Sequence, residues 1–242
     1  MSKCLVLTSG GLDSTVLLYK AIAEHGKSNV YMLNMYYGQK HDIEIEMARW
    51  QAEHLGLEDH YIEKDISTIF HGLENASALL KGSAKTIAHE SYAEQLKNTD
   101  VVSAYVPYRN GLLLSIAAGI AYSLGCDIVA YGAHADDAVR RENGGAAYPD
   151  CTKEFIDAQR KAIEEGTGGK VTLWSPLWNL NKAEVVGEGL KSLMTRDEFQ
   201  HTHSCYEGTP GGCHTCGTCR DREAALDYHP QTVGVGQSGK ER

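Results

Sequence analysis

Ser9-Gly10-Gly11-Leu12-Asp13-Ser14-Thr15 joins an apolar run, Cys4 to Thr8, to a helix-like stretch, Asp13 to His25. A short apolar run, a glycine turn and then helical periodicity read as one β–loop–α unit of an open α/β sheet, where ligands bind beyond the carboxyl ends of the strands. The helix that starts near Asp13 turns its free N–H groups and positive end toward the loop. Without Cβ atoms, Gly10 and Gly11 let the backbone curl into a nest of amides around an anion. Thr8, Ser9, Ser14 and Thr15 add hydroxyls, and Leu18 lies one turn further along the same helix. Asp13 would repel a phosphate, so it is expected to cap the helix or to meet a bound Mg²⁺. A Walker loop needs Gly-Lys-Ser/Thr and a dinucleotide fingerprint needs G-x-G-x-x-G; neither is present.

Outward from the loop the alternation continues. Val30 to Met35 and His60 to Glu63 read as strands, with a helix at Asp42 to Leu55 between them. Leu112 to Leu124 has few polar positions and is expected to be a buried helix. Asp127 to Ala133 and Val171 to Trp174 complete the strands, and Lys153 to Glu165 is an amphipathic helix closed by Gly166. Asn181, with Glu184 three residues on, predicts a capping box. Between Ile66 and Asp100 no period emerges, and the stretch reads as a mobile loop or lid. The tail after Gln231 is rich in Gly, Ser and charge and is expected to fray. Strands alternating with helices imply an α/β fold with a Rossmann-like parallel sheet. The expected division is residues 1–180 as the α/β domain that carries the glycine loop and 181–242 as a C-terminal helical and cysteine-rich region.

The 242 residues suffice for one such domain and a small appendage. A net charge of −9 disfavours a chain whose main work is gripping a nucleic-acid backbone, which needs Lys and Arg. No apolar run approaches the ~20 residues of a membrane span, and the N-terminus enters a strand without a signal-peptide core. A cytoplasmic location is the expectation.

Of seven cysteines, Cys4, Cys126 and Cys151 are scattered, whereas Cys205 is followed by seven residues and then Cys213-x-x-Cys216-x-x-Cys219. Four thiolates at this spacing suit a tetrahedral Zn²⁺, ahead of an iron–sulfur cluster or a redox disulfide.

The loop Ser9–Thr15 resembles the signature of the PP-loop superfamily, the N-type ATP pyrophosphatases with an adenine-nucleotide-α-hydrolase-like fold. Resemblance implies cleavage of ATP between its α and β phosphates, leaving an adenylated substrate and pyrophosphate. Nearly the whole chain is further similar to the 7-cyano-7-deazaguanine synthases of the queuosine pathway. The motifs that carry this are Tyr37-Gly38-Gln39-Lys40-His41, Val106-Pro107-Tyr108-Arg109-Asn110, Gly132-Ala133-His134, Tyr148-Pro149-Asp150-Cys151, Asn181-Lys182-Ala183-Glu184 and Ser204-Cys205-Tyr206, followed by the cysteine cluster.

That resemblance implies an ATP-dependent ligase. The carboxylate of 7-carboxy-7-deazaguanine is adenylated and attacked by ammonia to give an amide, and a second activation dehydrates the amide to the nitrile. It implies ATP, Zn²⁺ and Mg²⁺ as cofactors and a homodimer as the assembly. Thr8, Ser9, Gly10, Gly11, Asp13, Ser14, Thr15 and Leu18 would bind the nucleotide. Arg109, Lys182 and Asp137 are the candidate catalytic residues, and Asp136 or Asp137 would help hold Mg²⁺. Tyr148, Asp150, Arg109 and His134 are the candidate substrate-binding residues, and Cys205, Cys213, Cys216 and Cys219 the metal ligands.

In that family a small residue, commonly Gly, stands where this chain has Tyr108, and the segment between Asp137 and Tyr148, with Arg140, Arg141 and Glu142, is longer here. An enzyme that stops at the amide, or passes the activated carboxylate to another amine such as one on a protein, uses the same residues. A tRNA-thiolating relative would need a tRNA surface and a catalytic cysteine pair. Outside enzymes, a zinc-knuckle interaction module on an inactive nucleotide-binding domain is opposed by the intact glycine loop.

Overall fold

The structure, a computed structural model, describes residues 2–140 and 144–229. Arg141, Glu142 and the tail after Gln231 lie outside the described residues.

Five parallel strands form one sheet in the order β3-β2-β1-β4-β5. They are β1 (Cys4–Leu7), β2 (Val30–Tyr36), β3 (Tyr61–Asp65), β4 (Ile128–Ala130) and β5 (Thr172–Trp174). The central strands are apolar on both faces because helices cover both, whereas the edge strand β3 ends in exposed Glu63, Lys64 and Asp65. Leu5, Leu33, Val129 and Leu173 point into one core. Cys4, Val6, Met32 and Ala130 point into the other. The order reverses at β1: β2 lies on one side of it and β4 on the other, so the chain leaves a crevice above the ends of β1 and β4.

The helices are α1 (Leu12–His25), α2 (Ile43–Leu55), α3 (Tyr92–Gln95), α4 (Arg109–Leu124), α5 (Lys153–Gly166), α6 (Lys182–Lys191), α7 (Arg196–Gln200) and α8 (Gly217–Asp227). On one side of the sheet, Val16 and Leu17 of α1 pack with Val185 and Val186 of α6 and Ala225 of α8. On the other, Leu114, Ala117 and Ala121 of α4 pack with Ile156 and Ile163 of α5. The capping box expected at Asn181 and Glu184 forms, with each side chain bonded to the other's backbone N–H. Helix α4 starts three residues before the expected Leu112, which brings Arg109 and Asn110 into its first turn. Among the described residues no helix is long and apolar enough to cross a membrane.

Residues 66–100 correct the expectation of a loose loop or lid. The stretch is irregular, as the missing period implied, yet Ala78, Leu79, Leu80, Ile87 and Leu96 are buried in the α4–α5 core. It is tied down by Lys40 N donating to Leu79 O at 2.8 Å and Lys81 N donating to Gly38 O at 2.8 Å. Backbone that pairs with a turn rather than a ladder carries no period, so a core-forming strap reads as a loop.

Candidate functional site

A cleft opens at the carboxyl end of the sheet, walled by the ends of β1, β2 and β4 and by the glycine loop. It encloses about 1300 Å³, part of it open to solvent.

The glycine loop is shaped by its own hydroxyls. Ser9 N donates to Ser14 Oγ at 3.1 Å, Gly11 N donates to Ser9 Oγ at 3.1 Å, and Ser14 Oγ and Thr15 Oγ1 both donate to Gly11 O. Gly10 has φ +93°, and a Cβ there would lie 1.9 Å from the Glu44 carbonyl oxygen of α2. Helix α2 can approach the loop this closely only because residue 10 is glycine. From the far end of the chain, His203 N donates to Gly10 O at 3.0 Å. The opening amides of α1, at Leu12, Asp13 and Ser14, have no preceding carbonyl within the helix to pair with and are the natural anion donors. Leu18 lies in the core and Thr15 is buried on its Gly11 bond; neither borders the cleft.

Asp13 does not cap α1, whose N-cap is Gly11 with no side-chain cap bond. Instead Lys182 Nζ donates to both its carboxylate oxygens, at 2.7 and 2.5 Å. The His134 ring nitrogen Nε2 lies 3.5 Å from Asp13 and 3.4 Å from Asp137, and Lys182 N donates to Asp136 Oδ2 at 2.8 Å. Burial pushes the Asp13 carboxyl up, but the Lys182 ammonium and the His134 ring more than offset it and hold it far below the usual range. Burial lowers His134, yet Asp137 and Asp13 outweigh it and raise the ring's pKa. Burial raises Asp137, with His134 and Lys182 pulling the other way.

Across the cleft, Arg109 Nη1 donates to Tyr37 Oη at 2.7 Å and its guanidinium sits 4.9 Å from that ring's centre. Asn110 N donates to Asp150 Oδ2 at 3.0 Å, so Asp150 buttresses the start of α4 and its side chain stays off the cleft wall. Burial lifts the Glu44 carboxyl to about 8, with Arg109 only partly opposing. Burial and then Arg109 press His41 down to about 3. Thr8 Oγ1, Asn34 Oδ1, His41 Nδ1 and His134 Nδ1 are buried atoms of cleft-lining residues without a protein partner. Such atoms carry a desolvation penalty that a polar ligand relieves.

Tyr108, exposed over 58% of its surface, is absent from the cleft wall. It adopts φ +54° at the N-cap of α4, a left-handed backbone that glycine enters freely and that costs another residue about 1–2 kcal/mol. Its hydroxyl accepts from Gln159 Nε2 at 2.9 Å, and its ring covers Gly111 from outside. Tyr108 therefore shapes the helix start rather than the pocket beside Arg109. Arg140, in the long segment that follows Asp137, pairs with Glu154 at 2.7 Å.

The sulfurs of Cys205, Cys213, Cys216 and Cys219 lie within 4.8 Å of one another. Tetrahedral Zn–S bonds of ≈ 2.3 Å put sulfurs ~3.8 Å apart, so this set needs only slight contraction to hold one ion. Cys216 N donates to Cys213 Sγ at 3.3 Å, the kind of support a thiolate ligand receives in such turns. The cluster borders the cleft through its neighbours: Ser204, Tyr206, Thr218 and Asp221 line it.

Several lining residues had no role assigned from sequence. Asn34 stood out in principle, as the one amide in an apolar strand, and its Nδ2 donates to Thr8 O at 2.7 Å. Glu44, Tyr92, Tyr131 and Asp221 carried no local signal, because each reaches the cleft through folding alone.

Comparison with known proteins bears on this cleft. The family described as "Queuosine biosynthesis protein QueC" matches residues 3–229. The chain is 37% identical over 225 residues to a 7-cyano-7-deazaguanine synthase of Archaeoglobus fulgidus, covering 93% of this chain and 85% of that one. It is 36% identical over 224 residues to the synthase of Psychromonas ingrahamii, covering 93% and 92%. Among solved structures it is similar to the U34-tRNA thiolase NcsA from Methanococcus maripaludis, with TM-score 0.45, 16% identity, and coverage of 93% of this chain and 64% of that one, a likeness too distant to decide anything about chemistry.

Proposed function

The chain belongs to the family described as queuosine biosynthesis protein QueC, and from that premise we propose that it converts 7-carboxy-7-deazaguanine, ATP and ammonia into 7-cyano-7-deazaguanine. A carboxylate is a poor electrophile until one oxygen becomes a leaving group, which is why such a reaction consumes ATP. The observation that carries the proposal is the convergence of the amide-rich glycine loop, Lys182 and Arg109 on one cleft at the strand-order reversal.

In this reading Ser9, Gly10, Gly11 and Ser14 cradle the pyrophosphate with the first amides of α1. Lys182 supplies positive charge from one wall and Arg109 from the other, so negative charge that builds on the phosphates or the acyl oxygen is met by fixed donors. Asp13 holds the Lys182 ammonium aimed into the cleft. Asp136, Asp137 and Asp221 are the cleft carboxylates that could take Mg²⁺, which is commonly held by one or two carboxylates plus the nucleotide's phosphates. Asp150 accepts from Asn110 N and braces the start of α4 from behind, His134 lines the approach to the acyl group, and Tyr148 would act from behind Tyr92 and Tyr206, whose hydroxyls it meets. The four cysteines would hold Zn²⁺ in a structural role, since no open ligand position is left by four thiolates. Residues 1–180 would then act as the nucleotide-binding part and 181–242 as the part that closes it. The expected homodimer belongs to this reading, and light scattering on the purified protein decides it.

A thiolating enzyme needs a reactive cysteine. Cys4 and Cys126 are buried in the core, and Cys151, the one lone cysteine on the cleft wall, has its thiol pushed well up by burial. That leaves no thiolate for sulfur transfer outside the metal cluster.

The test is one reaction of purified protein with 7-carboxy-7-deazaguanine, ATP and ammonium, followed by mass spectrometry. Nitrile with AMP and pyrophosphate is expected. Amide as the sole product, or turnover only when a protein acceptor is added, would replace the proposal with one of its relatives.

A further inference from the structure

Resting on that reading, we propose that Gln39 touches the substrate: its side-chain amide donates to the carboxylate that is activated, and with Arg109 it forms one clamp. Gln39 belongs to the Tyr37–His41 motif, which the phosphate and metal sites leave without a use. Tyr37 N donates to Gln39 Oε1 at 2.8 Å. An N–H can face only the oxygen of an amide, so this bond fixes which way the side chain turns its nitrogen. The residue lines the cleft and is only 4% exposed, yet among the described residues its Nε2 has no protein partner. Two N–H donors are thus left for a ligand.

The same tyrosine sets Arg109. Arg109 Nη1 donates to Tyr37 Oη at 2.7 Å, and Nε and Nη2 both donate to Asn110 Oδ1 at 3.2 Å. Asn110 is held in turn, because its Nδ2 donates to Cys151 Sγ at 3.5 Å. A guanidinium has five N–H donors. Three are used, which leaves one on each terminal nitrogen, and a carboxylate can take both. The buried strap fixes the height of the amide. Lys40 N donates to Leu79 O and Lys81 N to Gly38 O, both at 2.8 Å, and Gln39 itself bridges to Leu80. Carboxylates on the cleft wall are engaged elsewhere, and none of them accepts from Gln39. Glu44 Oε1 packs against Gly11 and its Oε2 lies 3.7 Å from His41 Nε2, while Asp13, Asp136 and Asp137 gather around Lys182 and His134. The phosphates have donors of their own in the glycine loop and Lys182, so the pair on Tyr37 is left to the acyl group.

The competing explanation is structural: Gln39 only receives the Tyr37 N–H. Gln39→Glu separates the two, since it keeps an oxygen for Tyr37 and replaces the donor by a second acceptor. Gln39→Met removes both. Titration calorimetry measures the affinity of wild type and both variants for 7-carboxy-7-deazaguanine, for 7-deazaguanine without the carboxyl group and for a non-hydrolysable ATP analogue, with thermal unfolding as the check that each protein folds. Both variants are expected to bind the carboxylated base at least about tenfold more weakly, the scale of one hydrogen bond to a charged group. Affinity for the other two ligands should move less than about twofold. Affinity for the carboxylated base that is kept in Gln39→Glu and lost in Gln39→Met overturns the clamp in favour of the structural role. Equal loss for both bases, or a loss confined to the ATP analogue, overturns it as well. Where one variant does not fold, the ratio between the two bases in the other decides. A wild type that binds the ATP analogue but neither base overturns the functional reading itself, and the clamp with it.

Discussion

Lys182 and Asp13 stand 169 positions apart and meet through both carboxylate oxygens, at 2.7 and 2.5 Å. The contact joins the start of α6 to the start of α1, so the glycine loop and the C-terminal half are set by one ion pair. The pair is half-hidden, with side chains 14% and 25% exposed, so removing one partner leaves a charge that water screens only in part.

Lys182→Met is therefore expected to harm the enzyme twice. Leaving Asp13 with His134 alone, 3.5 Å away, should destabilise the fold by roughly 2 kcal/mol, below the 3–5 of a fully buried pair. In a chain this long that lowers the thermal midpoint by about 4–8 °C. Turnover should fall at least ~100-fold if Lys182 stabilises developing phosphate charge. The double variant Asp13→Asn, Lys182→Met separates the effects: calorimetry should show most of the stability restored, while turnover stays low. Recovery of both would mean that the pair serves structure alone.

Gly10 gives a second, sharper expectation. A Cβ at Gly10 meets the Glu44 carbonyl oxygen at 1.9 Å, backbone against backbone, at a φ of +93°. At Gly11 the nearest atom is the Ser9 hydroxyl, at 3.1 Å, which can rotate. Gly10→Ala should thus push α2 off the loop and weaken nucleotide binding more than about tenfold, whereas Gly11→Ala should cost only a few-fold. Titration calorimetry with an ATP analogue ranks the two, and equal losses would refute the packing argument.

The parts of this site that were legible in the sequence are those written within a few residues. The loop Ser9–Thr15 and the C-x-x-C spacing encode their own geometry, and the alternation of apolar runs sufficed to predict the parallel sheet. Contacts between remote positions left no such trace. Asp13 read as a cap in part because its partner Lys182 lies on another helix. Glu44 drew no reading at all, because nothing local says that this turn of α2 faces the loop. Residues 66–100 read as a lid because irregular backbone can bury Leu79 and Leu80 without any repeat. Nothing local announces that Tyr108 turns outward with a φ of +54° and shapes how α4 begins.

The cysteine cluster should contain one zinc per chain, measurable by plasma emission after gel filtration. Removing it with a strong chelator frees four thiols in a region whose other support is a short helix, α8. A loss on the order of several kcal/mol is expected, seen as a midpoint lowered by about 10 °C or more. Tyr206 follows Cys205 directly and His203 N holds Gly10 O, so nucleotide affinity should fall with the metal. Unchanged affinity in the metal-free protein would show that the two regions are independent.

Glu44 makes stability depend on pH in a stated direction. Its carboxyl rises from 4.5 to about 8 on folding, so the folded state holds this proton where the unfolded chain has released it. For an acid raised in this way, the stabilisation is complete below about 4.5 and is lost as pH climbs toward 8. The slope contributed by the one group is at most about 1.4 kcal/mol per pH unit. Glu44→Gln keeps the shape and removes the proton, so denaturant melts should show variant and wild type alike near pH 5 and the variant more stable at pH 8 to 9. A variant less stable than wild type at pH 8 would mean that Glu44 works as a carboxylate paired with Arg109, and that the cleft wall beside Gly11 is charged rather than neutral.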